Sequence, residues 1–296
     1  MSRYLGVDIG GTSMKAVVCD DTGRVLDRQT RDTSDDGGNQ WLHDLPAWID
    51  DMAAGGVDGI GVAAPGLAAE DGQRIASMPG RLSGLEGLDW REFLAANAPV
   101  RVLNDAHAAL VAEAWCGAAK GCHNVMMLTL GTGVGGAAMV DGRILRGRLG
   151  RAGHLGHISM NPHGSPDIVN TPGSLESAIG ECTLAARSDG RFATTRELIA
   201  AMAGGDQAAG KIWDESIRAL AAAIAGLINV LDPELVVLGG GIARSGAALL
   251  TPLSKYLDRF EWRPGGMRVR LALAELGGYA GAIGAAASVH LRGDFR

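Results

Sequence analysis

Apolar and polar residues alternate near the beginning of the chain, in the stretch LGVDIGGTSMK at 5–15. Apolar residues at 5, 7 and 9 alternate with two glycines and Asp8, which is the period of a half-buried β-strand. Gly10 and Gly11 then predict a tight turn, because glycine reaches the positive φ angles that such turns favour. Residues 14–18 supply a second strand. The stretch predicts a hairpin that is either ordinary or open to an anion, with Thr12 as a further donor.

The same periodicities predict the elements of the remaining chain. Strands are predicted at 4–10, 14–19, 24–30, 57–64, 99–103, 124–130, 136–140, 234–239 and 267–273. Helices are predicted at 41–54, 105–118, 174–187, 194–203, 207–231, 245–258 and 279–291. Strands first form a meander and then alternate with helices, which predicts an α/β fold with mixed sheets.

The first meander has a second copy later in the chain. LGVDIGGTSMKAVVCDDTGRVL runs from a strand through a glycine turn to an Asp-Gly-type turn, and MLTLGTGVGGAAMVDGRIL at 127–145 follows the same order. Its glycine turn is Gly131, Thr132 and Gly133. Two copies predict two similar lobes, whose hairpins would face one polyphosphate from both sides. The alternative is that the two hairpins only look alike.

A third glycine cluster follows the predicted strand at 234–238 and consists of Gly239, Gly240 and Gly241. Ligands of open α/β sheets bind beyond the carboxyl ends of strands. The cluster therefore favours either a flat ligand group lying on the backbone or a simple strand-to-helix turn.

Composition and charge narrow the class of protein. A chain of 296 residues is long enough for about two domains. The formal net charge of -6 and the absence of a large basic cluster argue against a nucleic-acid partner. The scattered residues Cys19, Cys116, Cys122 and Cys182 favour reduced core thiols in a cytoplasmic protein. We expect no signal peptide and no membrane span, since the most apolar windows are too short.

Asn104 and Asp105 stand where a predicted strand meets a helix, in VRVLNDAHAALVAEAW at 100–115. Either residue type is a common helix N-cap. Alternatively, Asp105 is a general base, because phosphoryl transfer to an alcohol requires the attacking hydroxyl to lose its proton. Asn104 would then bind a polyhydroxylated substrate.

Further candidates for ligand binding are spread along the chain. One carboxylate, Asp8, suffices beside a phosphate loop, because a nucleotide-bound metal keeps most of its waters. Lys15 either neutralises phosphate charge or is a solvated strand lysine. His154 and His157 are metal ligands, hydroxyl partners or loop residues, and the lack of a cysteine between 122 and 182 argues against structural zinc. Glu176 is either a first-turn helix acid or a sugar ligand.

Together these stretches resemble the ROK family of sugar kinases, relatives of glucokinase in the actin, hexokinase and Hsp70 superfamily. The resemblance covers nearly the whole chain and rests on DIGGT at 8–12, GVAAPG at 61–66, LNDAHAA at 103–109, LTLGTGVGG at 128–136, AGHLGH at 152–157, GSLE at 173–176, LGGGIA at 238–243 and GAIGAA at 281–286. It implies a two-lobed actin/hexokinase-like ATPase fold of duplicated mixed-sheet domains, with ATP, Mg²⁺ and the sugar in a central cleft. It also implies a homodimer. We expect a lobe over 1–103, completed by 279–296, and a larger lobe over 104–278.

The resemblance also implies roles for individual residues. Asp105 matches the catalytic base, and the sugar ligands match Asn104, His157 and Glu176, with Gly66 in the loop near the sugar. The phosphate elements match the hairpin at 8–12, with Asp8, Gly10, Gly11 and Thr12, and the hairpin at 131–135, with Gly131, Thr132 and Gly133. Residues Gly239, Gly240 and Gly241 match the adenosine element.

Three departures from the family pattern concern the substrate and zinc. His154 stands where family kinases usually carry a glutamate that binds sugar hydroxyls. The family's zinc segment, CxCGxxGC, corresponds to a cysteine-free stretch before Gly173, so no zinc is expected. Arg81 stands near the place of a usual asparagine, which would favour an anionic or atypical substrate.

The leading hypothesis is therefore ATP-dependent phosphorylation of a hexose or close analogue. One alternative is a kinase for an atypical substrate such as an amino sugar or a cyclitol. Another is a sugar-responsive ROK-like regulator without catalysis, although such repressors place a helix-turn-helix before the first hairpin and only seven residues precede Asp8. An Hsp70-like chaperone would need a long extension after the nucleotide lobes.

Overall fold

The structure of the protein is a computed structural model. It describes residues 2–33, 38–78, 80 and 82–291, so Arg81, predicted near the sugar, lies outside the described residues. Within the described part, no helix is both long and apolar enough to cross a membrane.

The described residues form twelve strands and nine α-helices. The strands are β1 Arg3–Ile9, β2 Ser13–Asp20, β3 Val25–Asp32, β4 Gly59–Ala64, β5 Leu67–Ala68, β6 Ile75–Ser77, β7 Val100–Asn104, β8 Val125–Leu130, β9 Val134–Val140, β10 Arg143–Ile144, β11 Leu235–Gly239 and β12 Arg270–Leu273. The helices are α1 Leu45–Ala53, α2 Trp90–Phe93, α3 Asp105–Cys116, α4 Leu175–Ile179, α5 Leu184–Arg187, α6 Thr195–Ala203, α7 Gln207–Leu231, α8 Ala247–Phe260 and α9 Ala280–His290.

The chain divides into two compact units. Unit 1 contains Met1–His123, Asp141–Gly153 and Glu275–Arg296, and unit 2 contains Asn124–Val140 and His154–Ala274. The chain therefore passes between the units several times. The predicted division after residue 103 stays a prediction.

Unit 1 is built on a five-stranded sheet in the order β3-β2-β1-β4-β7. β1 pairs antiparallel with β2 and parallel with β4, and β4 pairs parallel with β7. The helix α9 lies directly on this sheet, because a Cβ added at Gly6 or Gly61 would overlap backbone atoms of α9. Close packing of α9 against β1 and β4 fixes the beginning of the helix near the carboxyl ends of these strands.

Unit 2 repeats this arrangement with four strands of a second sheet, in the order β9-β8-β11-β12. β8 pairs antiparallel with β9 and parallel with β11, which pairs parallel with β12. The 25-residue helix α7 is amphipathic and shares a hydrophobic core with the inner strands of the sheet. These four strands correspond in order and direction to β2-β1-β4-β7 of unit 1, which confirms the predicted duplication and the α/β fold class.

The prediction of one continuous helix at 174–187 is wrong. It is interrupted at Gly180, whose ψ of 147° lies far from helical values, and continues as a short 3₁₀ helix and α5. The N–H groups of Glu181 and Cys182 donate to the carbonyl groups of Gly131 and Thr132 at 3.0 and 2.8 Å. These distant hydrogen bonds replace those that a continuous helix would make.

All four cysteines are free, and none is paired with another described cysteine. Cys19 is buried, and burial raises the pKa of its thiol to about 12, with smaller contributions from Cys116 and Asp20. The expectation of core thiols is wrong for Cys182, which is exposed.

Candidate functional site

The first predicted phosphate element is the β1–β2 hairpin of unit 1. The Gly10 N–H donates to the Ser13 carbonyl at 3.1 Å, which leaves Gly11 and Thr12 at the tip. The predicted positive φ is wrong, since neither Gly10 nor Gly11, both within the described residues, has one. The requirement at Gly10 is steric instead, because an added Cβ would lie 2.9 Å from the Ser13 oxygen.

Asp8 precedes this turn and is surrounded by three elements of unit 1. It lies opposite Lys15 on β2 and beside Ala63 on β4. At the first turn of α9, a Cβ added to Gly281 would lie 2.6 Å from the carboxyl carbon of Asp8. Burial, and to a smaller extent the charge of Asp105, raise the pKa of Asp8 to about 7, although Lys15 opposes the shift. Burial and the neighbouring carboxylate therefore outweigh the effect of Lys15 on this group.

The Asn104–Asp105 pair lies at the carboxyl end of β7, where α3 begins. The buried Asn104 caps this helix, because its Oδ1 accepts from the N–H groups of Ala106 and His107 at 2.9 and 3.2 Å. Asp105, the first residue of the helix, is exposed, and its Oδ1 accepts from the Ala106 N–H at 2.8 Å. The capping interpretation therefore holds for Asn104, whereas the Asp105 carboxylate is accessible to a ligand.

Gly66 follows β4, the neighbour of β7, and is tied to the same helix cap. The Asn104 amide donates to the Gly66 carbonyl at 3.0 Å. Gly66 has a φ of +99°, and an added Cβ would lie 2.5 Å from the Ser77 carbonyl oxygen, so a larger residue would be strained here. The carboxyl ends of β1, β4 and β7 thus gather Asp8, Gly66 and Asp105 at one edge of the sheet of unit 1.

The second predicted phosphate element is the β8–β9 hairpin of unit 2. Its turn, Gly131 to Gly133, joins the paired residues Leu130 and Val134. Gly240, at a φ of +88°, packs so closely on Leu130 that an added Cβ would overlap the Leu130 carbonyl. The two glycine clusters of unit 2 are therefore neighbours, as parallel pairing of β8 with β11 requires. An added Cβ at Gly131 or Gly241 would meet open space within 4 Å.

Glu176 and His157 lie next to this second hairpin. The buried Glu176 accepts from the Val134 N–H through Oε2 at 2.9 Å, and a Cβ at Gly133 would overlap its carboxylate. The 3₁₀ turn that carries His157 packs on Val134 as well, since a Cβ added at Gly156 would overlap the Val134 carbonyl. His154 precedes this turn, and its carbonyl accepts from the His157 N–H at 3.3 Å.

The ring of His157 is held by an aspartate that the sequence analysis did not identify. His157 Nδ1 lies 2.7 Å from Asp167 Oδ2, and the Asp167 side chain is only 3 % exposed. Burial acts to raise the pKa of Asp167, but hydrogen bonds from His157, Thr171, Ser174 and Val169 hold it below its ordinary value. Ligand atoms of His157, Asp167 and Glu176 lie within 4.8 Å of one another, so these side chains could share a cation.

Arg187 is a second residue near the site that the sequence analysis missed. Its guanidinium donates to the Gly180 carbonyl at 3.0 Å and to the hydroxyls of Thr183 and Ser216 at 3.1 and 2.8 Å. It thereby holds the segment whose N–H groups support Gly131 and Thr132. Neither Arg187 nor Asp167 lies in a pattern that local sequence reasoning can recognise.

Comparisons with known proteins agree with this arrangement. The sequence profile of the ROK family matches residues 4–292. A glucokinase of Halalkalibacterium halodurans is 31 % identical, with 95 % of this chain and 93 % of that protein covered. An N-acetylmannosamine kinase of Yersinia pseudotuberculosis is 33 % identical over 82 % of this chain and 84 % of that protein. The crystal structure of a ROK family glucokinase from Streptomyces griseus, in complex with glucose and AMPPNP, superposes with a TM-score of 0.78 at 29 % identity, covering 96 % of this chain and 98 % of that one.

Proposed function

The chain belongs to the ROK family, and we propose that it is a sugar kinase in which Asp105 is the general base for phosphoryl transfer from ATP to a hydroxyl of a hexose or a close analogue. The predicted family, fold class and sugar kinase activity are confirmed by the family match, the kinase relatives and the solved ROK structure. The individual site residues, the dimer and the cytoplasmic location stay predictions.

The observation that carries the proposed mechanism is the exposed carboxylate of Asp105 beside the phosphate hairpin of unit 1. The charge of Asp105 contributes to the raised pKa of Asp8, so the two carboxyl groups are near each other. A general base must reach the proton that it removes, and an exposed carboxylate at the first residue of α3 is reachable by a substrate hydroxyl. A carboxylate in the first turn of a helix also interacts favourably with the positive end of the helix dipole.

Asp8 has the chemistry of a magnesium site. Its carboxyl group lies near that of Asp105, and carboxylate oxygen is the ligand type that Mg²⁺ binds. When bound, Mg²⁺ would neutralise charge on the phosphate groups. Asp8 would hold it, directly or through water, and would keep its carboxylate ionised in doing so.

Binding of the phosphate groups is assigned to the glycine turns. Gly10 and Gly11 carry no side chain that could cover the backbone of the first hairpin. In unit 2, a Cβ added at Gly131 or Gly241 would meet open space within 4 Å. Lys15 adds a positive charge opposite Asp8. The solved glucokinase that contains AMPPNP, an analogue of ATP, supports ATP as the donor.

The sugar class follows from the relatives and from the hydroxyl-binding candidates. Asn104, His154, His157 and Glu176 offer amide, imidazole and carboxylate groups, which suit a polyhydroxylated ring. One kinase relative acts on an N-acetylated amino sugar by its name, and others are glucokinases. We therefore include both neutral hexoses and N-acyl amino sugars in the proposed substrate class.

The experiment that tests the proposed function is an assay that measures the release of ADP from ATP in the presence of each sugar of a panel. The panel contains glucose, mannose, N-acetylmannosamine, N-acetylglucosamine, free amino sugars and cyclitols, each with ATP and Mg²⁺. We expect turnover on at least one hexose or N-acyl hexosamine. Sugar binding detected by calorimetry without any phosphoryl transfer would instead favour the regulator. The absence of both sugar binding and phosphoryl transfer would contradict both functions.

A further inference from the structure

The ring of His157 is oriented by a buried carboxylate rather than by solvent. His157 Nδ1 and Asp167 Oδ2 are 2.7 Å apart, and the Asp167 side chain is 3 % exposed against 22 % for the histidine. Asp167 belongs to a loop between the 3₁₀ turn of His157 and α4, and its distance of ten residues from His157 gives no local pattern. The contact is therefore made by the fold.

We propose that Asp167 is a positioning residue of the proposed kinase reaction: when the ring of His157 is uncharged, Asp167 selects the tautomer with the proton on Nδ1, so that Nε2 offers a lone pair to a sugar hydroxyl. This inference rests on the proposed function. It assigns to His157 the part of hydrogen-bond acceptor, whereas the resemblance identified it only as a sugar ligand.

The other oxygen of Asp167 prevents the carboxylate from turning. Oδ1 accepts from the N–H groups of Val169 and Thr171 at 3.0 and 2.9 Å. The loop is closed on itself by two backbone bonds, from the Asp167 N–H to the Thr171 carbonyl and from the Asn170 N–H to the Asp167 carbonyl, both at 3.0 Å. Oδ2 is therefore left facing Nδ1 of His157.

The protonation state of Asp167 decides which ring nitrogen carries the proton. The four hydrogen bonds to its carboxylate keep the pKa of Asp167 low despite burial, so it is ionised at neutral pH. An ionised carboxylate only accepts hydrogen bonds, so Nδ1 must donate. In neutral imidazole the other nitrogen, Nε2, is then an acceptor.

Glu176 makes this acceptor useful for a polyhydroxylated ligand. Oε2 of Glu176 already accepts from the Val134 N–H at 2.9 Å. Oε1, the other oxygen of the carboxylate, is a second hydrogen-bond acceptor. His157 and Glu176 would thus present two acceptors, and sugar hydroxyls would supply the protons. A cation shared by His157, Asp167 and Glu176 is the competing occupant, because their ligand atoms lie within 4.8 Å of one another.

Asp167→Asn distinguishes positioning from a merely structural role. The N–H groups of Val169 and Thr171 require an oxygen at the Oδ1 position, so the new amide must place its NH₂ group towards Nδ1 of His157. The NH₂ group donates, and Nδ1 must then accept. The substitution keeps the shape of the side chain but moves the ring proton to Nε2.

The direct readout is the long-range ¹H–¹⁵N NMR spectrum of histidine-labelled full-length protein, without sugar. The signal of His157 is assigned among the seven histidines by its loss in His157→Gln. We expect Nδ1 protonated in the wild type and Nε2 protonated in Asp167→Asn. A wild-type ring protonated on Nε2, or one unaffected by the substitution, would overturn the inference.

The second readout is kinetic and uses the sugar found in the panel. Asp167→Asn should raise KM for the sugar about 10- to 100-fold, because Nε2 then donates and the sugar hydroxyl loses the acceptor for its own proton, and should change kcat much less. The matched control is Asp206→Asn, a half-buried aspartate that also accepts a backbone N–H and pairs with an arginine. Its kinetic constants should equal those of the wild type. A fall in kcat as large as the rise in KM, or unchanged kinetic constants in Asp167→Asn, would contradict the positioning role.

Metal analysis of the purified protein completes the test. We expect no stoichiometric divalent metal in the wild type. A metal bound one to one in the wild type and lost in Asp167→Asn would identify Asp167 as a ligand and overturn the inference. The NMR spectra do not depend on turnover, so the two proposals can fail independently. If no sugar in the panel were phosphorylated, the proposed function would be contradicted. If the wild-type ring of His157 were protonated on Nε2, the inference about Asp167 would be contradicted.

Discussion

Asp8 and Asp105 lie close enough within unit 1 for the charge of Asp105 to act on the pKa of Asp8. Burial has the larger effect, and together they raise the pKa of Asp8 to about 7, although Lys15 opposes them. The pair combines a carboxylate suited to a cation with an exposed carboxylate suited to a proton. Carboxylates in such different environments are a frequent feature of active sites.

Replacing Asp8 by asparagine should raise the melting temperature at pH 8 and leave it nearly unchanged at pH 4. In the unfolded chain an aspartate loses its proton near pH 3.9, whereas in the folded protein Asp8 keeps it until about pH 7. The folded state therefore binds more protons between these values, and its stability falls as the pH rises through this window. After screening, the gain in Asp8→Asn is about 1–3 kcal/mol at pH 8.

Differential scanning fluorimetry between pH 4 and pH 8 measures this effect. Asp71→Asn, at an exposed position of unit 1, is the control and should show no such trend. A melting temperature difference for Asp8→Asn that stays constant over this range would show that the raised pKa does not destabilise the folded protein.

Gly281→Ala tests the close approach of α9 to Asp8. An added Cβ would lie 2.6 Å from the carboxyl carbon and Oδ2 of Asp8, so the carboxylate or the helix must move. We expect kcat/KM for ATP to fall at least about tenfold, since misplaced ligand groups are costly in catalysis. Alanine is the better helix former by about 1 kcal/mol, so a loss of activity cannot come from helix propensity.

The control for this variant is Gly226→Ala in α7. No atom outside its own helix lies within 4 Å of an added Cβ there, so the substitution should raise the melting temperature and leave the kinetics unchanged. If both variants retained full activity, the contact between α9 and Asp8 would have no role in ATP use.

Arg187→Lys tests support of the second phosphate hairpin. A lysine cannot replace the fork that joins Gly180, Thr183 and Ser216, so partly buried acceptors lose their donors. The loss should cost about 1–3 kcal/mol of stability and raise KM for ATP more than KM for the sugar. Arg191→Lys changes an exposed arginine paired with Asp206 and should leave both KM values unchanged. An unaltered KM for ATP in a destabilised Arg187→Lys would limit Arg187 to a structural role.

The duplicated sheets could be predicted because their signals are local. Alternating residues define the strands, and glycine turns join β1 to β2 and β8 to β9, so one stretch contains most of the information for each hairpin. The same applies to the cap at Asn104, which combines a strand end with a helix start. The reason for Gly10 was misjudged, since close backbone approach rather than positive φ requires a glycine there.

The remaining features depend on contacts between distant segments. The interruption at Gly180 results from hydrogen bonds to residues about fifty positions earlier, which helix periodicity cannot register. Asp167 lies in a loop without a recognisable motif, and only the fold brings it to His157. The raised pKa of Asp8 likewise needs α9, from the opposite end of the chain.

The central claim, that Asp105 is the general base, is tested most directly by single-turnover kinetics of Asp105→Asn with saturating ATP, Mg²⁺ and the sugar identified in the panel. The asparagine keeps the size of the side chain but cannot accept the hydroxyl proton. We predict that the rate of phosphoryl transfer falls about 10²- to 10⁴-fold, while the Kd for AMPPNP and the melting temperature stay near those of the wild type. A folded variant that transfers phosphate at the wild-type rate would contradict the account.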